Sequence, residues 1–83
     1  MCMMRIEVLL FGEEARLAGK SRVCVEVATQ TVEGVQEALV KAEMRLAERM
    51  GKCRWAVNQE YALLRQRVQP GDEVALIGPV SGG

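Results

Sequence analysis

The chain has 83 residues, 49% of them hydrophobic, and its eleven Lys and Arg residues balance eleven Asp and Glu residues. This length is that of one small domain, and the hydrophobic fraction is too high for a disordered chain. The zero formal charge argues against sequence-independent nucleic-acid binding, and the absence of histidine removes the commonest general base and metal ligand. We therefore expect no nucleic-acid partner, no metal site and no stand-alone enzyme.

The three cysteines indicate a reducing compartment. Cys2, Cys24 and Cys53 are odd in number and lack the spacing of a zinc or redox motif. Disulfide-stapled secreted domains usually carry even sets. We predict that Cys24 and Cys53 are small buried apolar residues. The apolar stretch 8–11 is too short for a signal or membrane-spanning segment, so the expectation is a cytoplasmic protein without a membrane partner.

Alternating apolar residues predict an antiparallel pair of strands at the start of the chain. Residues 4–11 and 22–27 each repeat apolar side chains at every second position. Between them, residues 13–18 are good helix formers and Gly19 stands where a C-cap would. Two strands joined by such a short excursion are typical of an antiparallel pair.

Residues 32–50 are predicted to form one helix about 28 Å long. Thr31 is placed to cap its first turn, and Gly51 ends the run. Apolar side chains recur at spacings of three and four and form one stripe, consisting of Val35, Leu39, Ala42, Leu46 and Met50.

The second half of the chain completes an α+β fold. Further strands are predicted at 53–57, 61–64 and 73–77, the last being mostly apolar and therefore central, beside the first strand. The order of elements predicts a mixed sheet with one long helix covering a face, which is the β-grasp arrangement of ubiquitin-like proteins. We expect residues 1–78 to form this domain and residues 79–83 to form a flexible, extended tail.

The last five residues are the most informative segment of the sequence: Pro79, Val80, Ser81, Gly82 and Gly83. Fully extended, they reach up to about 17 Å. A Gly-Gly end with a free carboxylate can enter a channel too narrow for any Cβ, with its backbone held by hydrogen bonds. These features favour delivery of a carboxylate into another protein's active site over a frayed terminus.

Several stretches of the sequence carry a resemblance to a known family. They are Leu10-Phe11, Arg16, Ala18-Gly19, Ala56-Val57-Asn58-Gln59, and Gly71-Asp72-Glu73-Val74-Ala75 running into Pro79-Val80-Ser81-Gly82-Gly83. Over essentially its whole length the chain resembles the small subunit of molybdopterin synthase, the sulfur carrier of molybdenum-cofactor synthesis. The Gly-Gly end alone would also fit a thiamine-type sulfur carrier or a ubiquitin-like modifier.

The resemblance implies that Gly83 carries the chemistry. An E1-like enzyme would adenylate its carboxylate with ATP, and sulfur from a persulfide donor would then replace AMP to give a thiocarboxylate. Inside the large synthase subunit, which would supply the catalytic groups, this group would donate sulfur to cyclic pyranopterin monophosphate. The channel contacts would be Gly82, Ser81, Val80 and Pro79. The family's synthase is a heterotetramer of two small and two large subunits, and the small subunit itself is expected to bind no cofactor.

The interface candidates are Phe11, Arg16 and Ile77. Arg16 matches a family position, although a surface ion pair is the commoner role for such an arginine. The aromatic residues Phe11, Trp55 and Tyr61 either pack the core or form an apolar interface patch. Gly78 departs from the family, which usually has a second proline there, and this glycine would loosen the tail.

Three alternatives compete with the sulfur carrier. One is a ubiquitin-like modifier joined through Gly83 to lysines of target proteins. Another is a β-grasp adaptor whose tail is inert. A persulfide carrier on Cys24 or Cys53 is weaker, because both lie in predicted strands with no evident group to lower a thiol pKa. Basic residues within 41–54 are interleaved with glutamates and predict a solvated helix face.

Overall fold

The computed structural model describes residues 3–79. In chain order its elements are β1 (Met4–Leu10), α1 (Gly12–Ala18), β2 (Arg22–Val27), α2 (Val32–Ala42), a 3-10 helix (Met44–Lys52), β3 (Arg54–Val57), β4 (Glu60–Ala62) and β5 (Val74–Ile77). All five predicted strands and the first predicted helix are therefore confirmed, with small shifts at their ends. No helix within this part of the chain has both the length and the apolar character needed to cross a membrane.

The strands form one mixed sheet in the order β2-β1-β5-β3-β4. The two outer pairs and the β3–β5 pair are antiparallel, whereas β1 and β5 run parallel. The parallel register sets Val8 opposite Val74 and Leu10 opposite Leu76, so the two most apolar strands share the centre. The predicted central place of the last strand and the α+β class are confirmed. The proposed boundary between residues 1–78 and 79–83 stays a prediction.

The core lies between one face of this sheet and the helices. Strand alternation turns every second side chain inward, where each is almost completely buried. These are Met4, Ile6, Val8, Leu10, Val23, Val25, Val27, Trp55, Val57, Val74 and Leu76. From α2, Val32, Val35 and Leu39 close the other side. Trp55 is a core residue, and its indole Nε1 donates to Gln36 Oε1 at 3.0 Å, so burial leaves no polar atom unpaired.

The start of α2 follows from two local features of the sequence. The Thr31 backbone is extended, and its hydroxyl oxygen accepts a hydrogen bond from the Gly34 amide at 3.1 Å, which confirms the predicted N-cap. Gly34 packs against the preceding loop, because an added Cβ would lie 3.0 Å from the carbonyl carbon of Thr29. The close approach fixes the entry of α2 beside β2.

The prediction of a single helix over residues 32–50 is wrong. The α-helix ends at Ala42, the Glu43 backbone leaves helical geometry at φ −132° and ψ 83°, and a 3-10 helix follows. Glu43 is held at this break by Lys20, whose Nζ lies 3.0 Å from its carboxylate. The turn brings the 3-10 helix against α1 and still buries Leu46 completely. Because Leu46 is buried in either arrangement, the apolar spacing alone could not reveal the break.

Cysteine burial also differs from the prediction. Cys24 is exposed, because its neighbours Val23 and Val25 point into the core and leave it on the outer face of β2. Cys53 is half-buried, and its thiol lies 3.7 Å from Glu14 Oε2. Burial raises the pKa of the Cys53 thiol to about 11, and the adjacent Glu14 carboxylate adds to the rise. Cys2 lies outside the described residues.

We predict that Leu46→Ala lowers the free energy of unfolding by about 2–5 kcal/mol, because it empties a fully buried site. The matched control is Met44→Ala in the same 3-10 helix, where the side chain is 78% exposed and the cost should stay within about 0.5 kcal/mol. Urea unfolding of the two variants measures the difference. Equal costs would contradict the described packing of the 3-10 helix.

We predict that iodoacetamide modifies Cys24 well before Cys53 at neutral pH. Only the thiolate reacts, so the rate at Cys53 should rise about tenfold with each pH unit until the pH reaches the thiol pKa. Peptide mass spectrometry of timed samples measures both sites in one experiment. A Cys53 rate equal to that of Cys24, or independent of pH, would show that its thiol is neither shielded nor beside a carboxylate.

Candidate functional site

The described residues include only the beginning of the predicted tail. β5 ends at Ile77, and Gly78 and Pro79 follow it. We refer to residues 77–79 as the tail root. The four remaining residues assigned to the tail lie outside the described part of the chain: Val80, Ser81, Gly82 and Gly83. The geometry of the site is therefore that of the tail root and the surfaces around it.

The sheet face turned away from α2 carries an apolar row that leads towards the tail root. The strand registers align Leu9, Ala75, Ala56 and Tyr61 across β1, β5, β3 and β4. The small side chains of Ala75 and Ala56 lie between the larger ones of Leu9 and Tyr61. Tyr61 is 70% exposed. The Arg54 guanidinium lies 5.7 Å from the centre of the Tyr61 ring and covers part of it.

Phe11 and Ile77 extend this apolar surface to the point where the chain leaves the sheet. Both line one shallow depression with Ala56, Tyr61 and Ala75, and Phe11 is 52% exposed. We call the resulting surface the docking face, and its members are Leu9, Phe11, Ala56, Tyr61, Ala75 and Ile77. Phe11 and Tyr61 are exposed, Leu9, Ala56 and Ile77 are half-buried, and Ala75 is buried between its neighbours. An apolar surface that exposes aromatic side chains is typical of a protein-binding site. The structure thus brings two of the three predicted interface residues together.

The third interface candidate lies apart from that surface. Arg16 is on α1, where its Nε donates to Glu13 Oε1 at 2.9 Å, and both side chains are exposed. The hydrogen bond from Arg16 holds the pKa of the Glu13 carboxyl below its usual range. Arg16 does not line the depression around the tail root, although Glu13 does. The structure therefore supports the commoner role of a surface ion pair.

A buried carboxylate lies against the tail root, and sequence reasoning missed it. Glu14 on α1 is 2% exposed and is the one charged residue classed as buried among residues 3–79. Arg49 of the 3-10 helix donates from Nε to Glu14 Oε2 at 2.5 Å, and this bond raises the pKa of the Arg49 guanidinium. An added Cβ at Gly78 would lie 2.6 Å from the carboxyl carbon of Glu14. Arg49 is thus an exception to the predicted solvated helix face.

The sequence could have revealed some residues of the docking face, but it carries no local signal for the pair Glu14 and Arg49. Leu9, Ala56 and Ala75 could have been found, because each is apolar at an outward-facing strand position where a solvated sheet usually has a polar residue. Glu14 and Arg49 are 35 positions apart, and their pairing depends on the break at Glu43. Within residues 3–79, no three His, Cys, Asp or Glu side chains converge to hold a metal ion.

Known sequences resemble this chain over nearly its whole length. Residues 8–83 match the model of the ThiS family. The molybdopterin synthase sulfur carrier subunit of Haemophilus influenzae is 35% identical over 80 residues, covering 94% of this chain and 99% of that protein. The human protein of the same name is 33% identical over 84 residues, covering 95% of this chain and 94% of that protein.

Comparison with solved structures confirms the ubiquitin-like β-grasp fold. Small archaeal modifier protein 1 from Haloferax volcanii superposes with a TM-score of 0.86 at 35% identity, covering 95% of this chain and 99% of that chain. A complex of subunits 1 and 2 of molybdopterin-converting factor from Helicobacter pylori gives a TM-score of 0.68 at 25% identity, with coverage of 96% and 100%. The family model and the full-length relatives agree with the fold described above: the chain belongs to the ThiS family.

Proposed function

We propose that this chain is the sulfur carrier subunit of a molybdopterin synthase. The observation that carries the proposal is the identity of 33–35% over nearly the whole chain to proteins that bear this name. The geometry of the tail root supports it, because β5 ends at Ile77 beside an apolar face on which Phe11 and Tyr61 are exposed. In this role the chain is a protein co-substrate, and the catalytic groups belong to its partner.

The proposed chemistry takes place at the Gly83 carboxylate. A carboxylate is a poor electrophile, so an E1-like enzyme first lets it attack the α-phosphorus of ATP, releasing pyrophosphate and forming an acyl-adenylate. A persulfide sulfur then attacks the acyl carbon, AMP leaves with one carboxylate oxygen, and a thiol reduces the resulting sulfur–sulfur bond. The product is a Gly83 thiocarboxylate. The chain itself binds no cofactor, and ATP is held by the activating enzyme.

The second half of the cycle takes place inside the large synthase subunit. The tail enters that subunit, with contacts along Pro79, Val80, Ser81 and Gly82. The thiocarboxylate sulfur attacks an oxygen-bearing carbon of cyclic pyranopterin monophosphate, the carbon–oxygen bond breaks as that oxygen leaves, and a thioester joins Gly83 to the pterin. Water then attacks the acyl carbon, the acyl–sulfur bond breaks with the sulfur remaining on the pterin, and the carboxylate is restored. Repeated transfers supply both sulfurs of the dithiolene. In the proposed assembly, two small and two large subunits form a heterotetramer. The Helicobacter pylori complex, which contains subunits 1 and 2, supports a partner of this kind.

A ubiquitin-like modifier is the second candidate function. It is favoured by the similarity to small archaeal modifier protein 1, with a TM-score of 0.86. The modifier would share the adenylation step but would form an amide with a lysine of a target protein. Conjugates that survive denaturation and reducing agent would identify it. The sulfur carrier is preferred because the sequence relatives at comparable identity carry that name.

We predict that the purified chain, incubated with an E1-like activator, ATP and a persulfide donor, exchanges one oxygen for sulfur at the C-terminal peptide. Addition of one Ala after Gly83 should abolish the exchange, because the Gly83 carboxylate becomes an amide and the new terminal residue carries a Cβ at the position of the reacting group. The matched control carries the extra Ala before Met1 and should react normally. Intact mass spectrometry measures the mass change in all three proteins. Unimpaired exchange in the C-terminally extended chain would contradict the assigned atom, and inert wild-type protein would favour the adaptor.

We predict that Phe11→Ala weakens binding to the large synthase subunit at least tenfold, which corresponds to about 1.4 kcal/mol, because aromatic anchors dominate such interfaces. Met44→Ala is the control, since it removes an apolar side chain that is even more exposed than Phe11, from the 3-10 helix and away from the docking face. Isothermal titration calorimetry measures both affinities. If the two variants bind alike, the docking face is not the contact surface.

A further inference from the structure

The proposed function does not use Glu14, yet this side chain has the most unusual environment in the described chain. Its carboxylate is almost completely buried. It accepts hydrogen bonds from Arg49 at 2.5 Å and from the Cys53 thiol at 3.7 Å, both on the same oxygen. Burying a carboxylate away from water costs free energy unless the charge is paired. The pairing with Arg49 is therefore what allows Glu14 to be buried.

The same carboxylate fills the space beside position 78. The three heavy atoms nearest to a Cβ built on Gly78 all belong to the Glu14 carboxyl group, and the carboxyl carbon would lie at 2.6 Å. Gly78 is not among the glycines with positive φ, so its backbone does not need glycine for conformational reasons. The space occupied by Glu14 therefore accounts for a residue without a side chain at this position.

The ion pair prevents Glu14 from simply moving away. A glutamate side chain in solvent could rotate to make room, but this one is held by Arg49, whose side chain is itself only 25% exposed. Arg49 comes from the 3-10 helix and Glu14 from α1, so the pair fastens two helices against the tail root. The contact between the carboxyl group and Gly78 is thus made by a rigid group.

We propose that Glu14 and Arg49 are positioning residues for the tail, in which the ion-paired carboxylate packs on Gly78 and fixes the direction in which the chain leaves the sheet. This inference rests on the proposed function, since it gives the tail its purpose. Gly78 then does not loosen the tail root: a packed carboxylate restrains the backbone there. A restrained root lowers the entropy lost when the tail is captured by a partner.

The first test is a double-mutant cycle on thermal unfolding. Gly78→Ala should lower Tm by about 5 °C in the wild-type chain, because the methyl group displaces the carboxylate from Arg49. In a Glu14→Ala background the space is empty, so the same change should leave Tm unchanged or raise it slightly. Gly51→Ala is the matched control, because a Cβ there meets nothing within 4 Å. Its effect should be the same in both backgrounds. Equal effects of Gly78→Ala in both backgrounds would overturn the contact.

The second test separates positioning from mere stabilisation. We expect the ¹⁵N order parameter of the Gly78 amide to be near that of rigid backbone, about 0.85, and to fall towards about 0.6 in Glu14→Ala. The Ala75 amide in the middle of β5 should keep its value. If Glu14→Ala does not fold, Glu14→Gln removes the charge while keeping the shape and should lower the Gly78 value in the same direction. An unchanged Gly78 value in the folded variant would overturn the proposal.

Sulfur transfer completes the test and keeps the two proposals apart. If the wild-type chain accepts and donates sulfur, Glu14→Ala should lower kcat/KM for transfer in the large subunit by about tenfold or more, mainly through KM, because a looser tail is harder to capture. Unchanged transfer kinetics would overturn the positioning role. If the wild-type chain accepts no sulfur, the proposed function fails, while the order parameters still decide whether Glu14 restrains the tail root.

Discussion

The parallel pairing of β1 with β5 is the constraint on which the rest of the structure depends. It brings the last strand from the C-terminal part of the chain to the middle of the sheet, between β1 and β3. Because β5 is central, its inward side chains are fully buried and its position cannot shift without opening the core. The tail root therefore starts from a strand that is paired on both sides.

The same pairing explains why the docking face lies where it does. Outward residues of β1, β5, β3 and β4 line up in one row, and that row leads to Phe11 and Ile77 beside the tail root. A partner that binds the apolar row is then held next to the tail root. In the proposed function, the docking face would supply affinity, while the reacting carboxylate would need only to fit a channel. Such a division of roles would suit the proposed carrier, which would bind an activating enzyme and a synthase in turn.

Local patterns in the sequence predicted most of the fold and only part of the site. Alternation located the strands of the first half of the chain, a continuous apolar run located the last strand, and Thr31 correctly marked the start of α2, because these signals act between near neighbours. The break at Glu43 was missed, because Leu46 is buried whether the segment forms one helix or two. Its place in the apolar stripe is therefore the same in both cases. The contact of Glu14 with Arg49 and Gly78 joins three distant segments, and no periodicity encodes such a contact. Cys24 is exposed, contrary to the prediction, because the alternation of β2 turns it outward although cysteine is usually buried.

The central claim is that sulfur carried on Gly83 becomes the dithiolene sulfur of molybdopterin. The most direct measurement is to label the thiocarboxylate with ³⁵S, mix the purified chain with the large synthase subunit and cyclic pyranopterin monophosphate, and follow the label. The account predicts that the label moves into the pterin product, with one thiocarboxylate consumed for each sulfur incorporated. Label that stays on the chain while product forms, or that is released as a lysine conjugate appears, would contradict it.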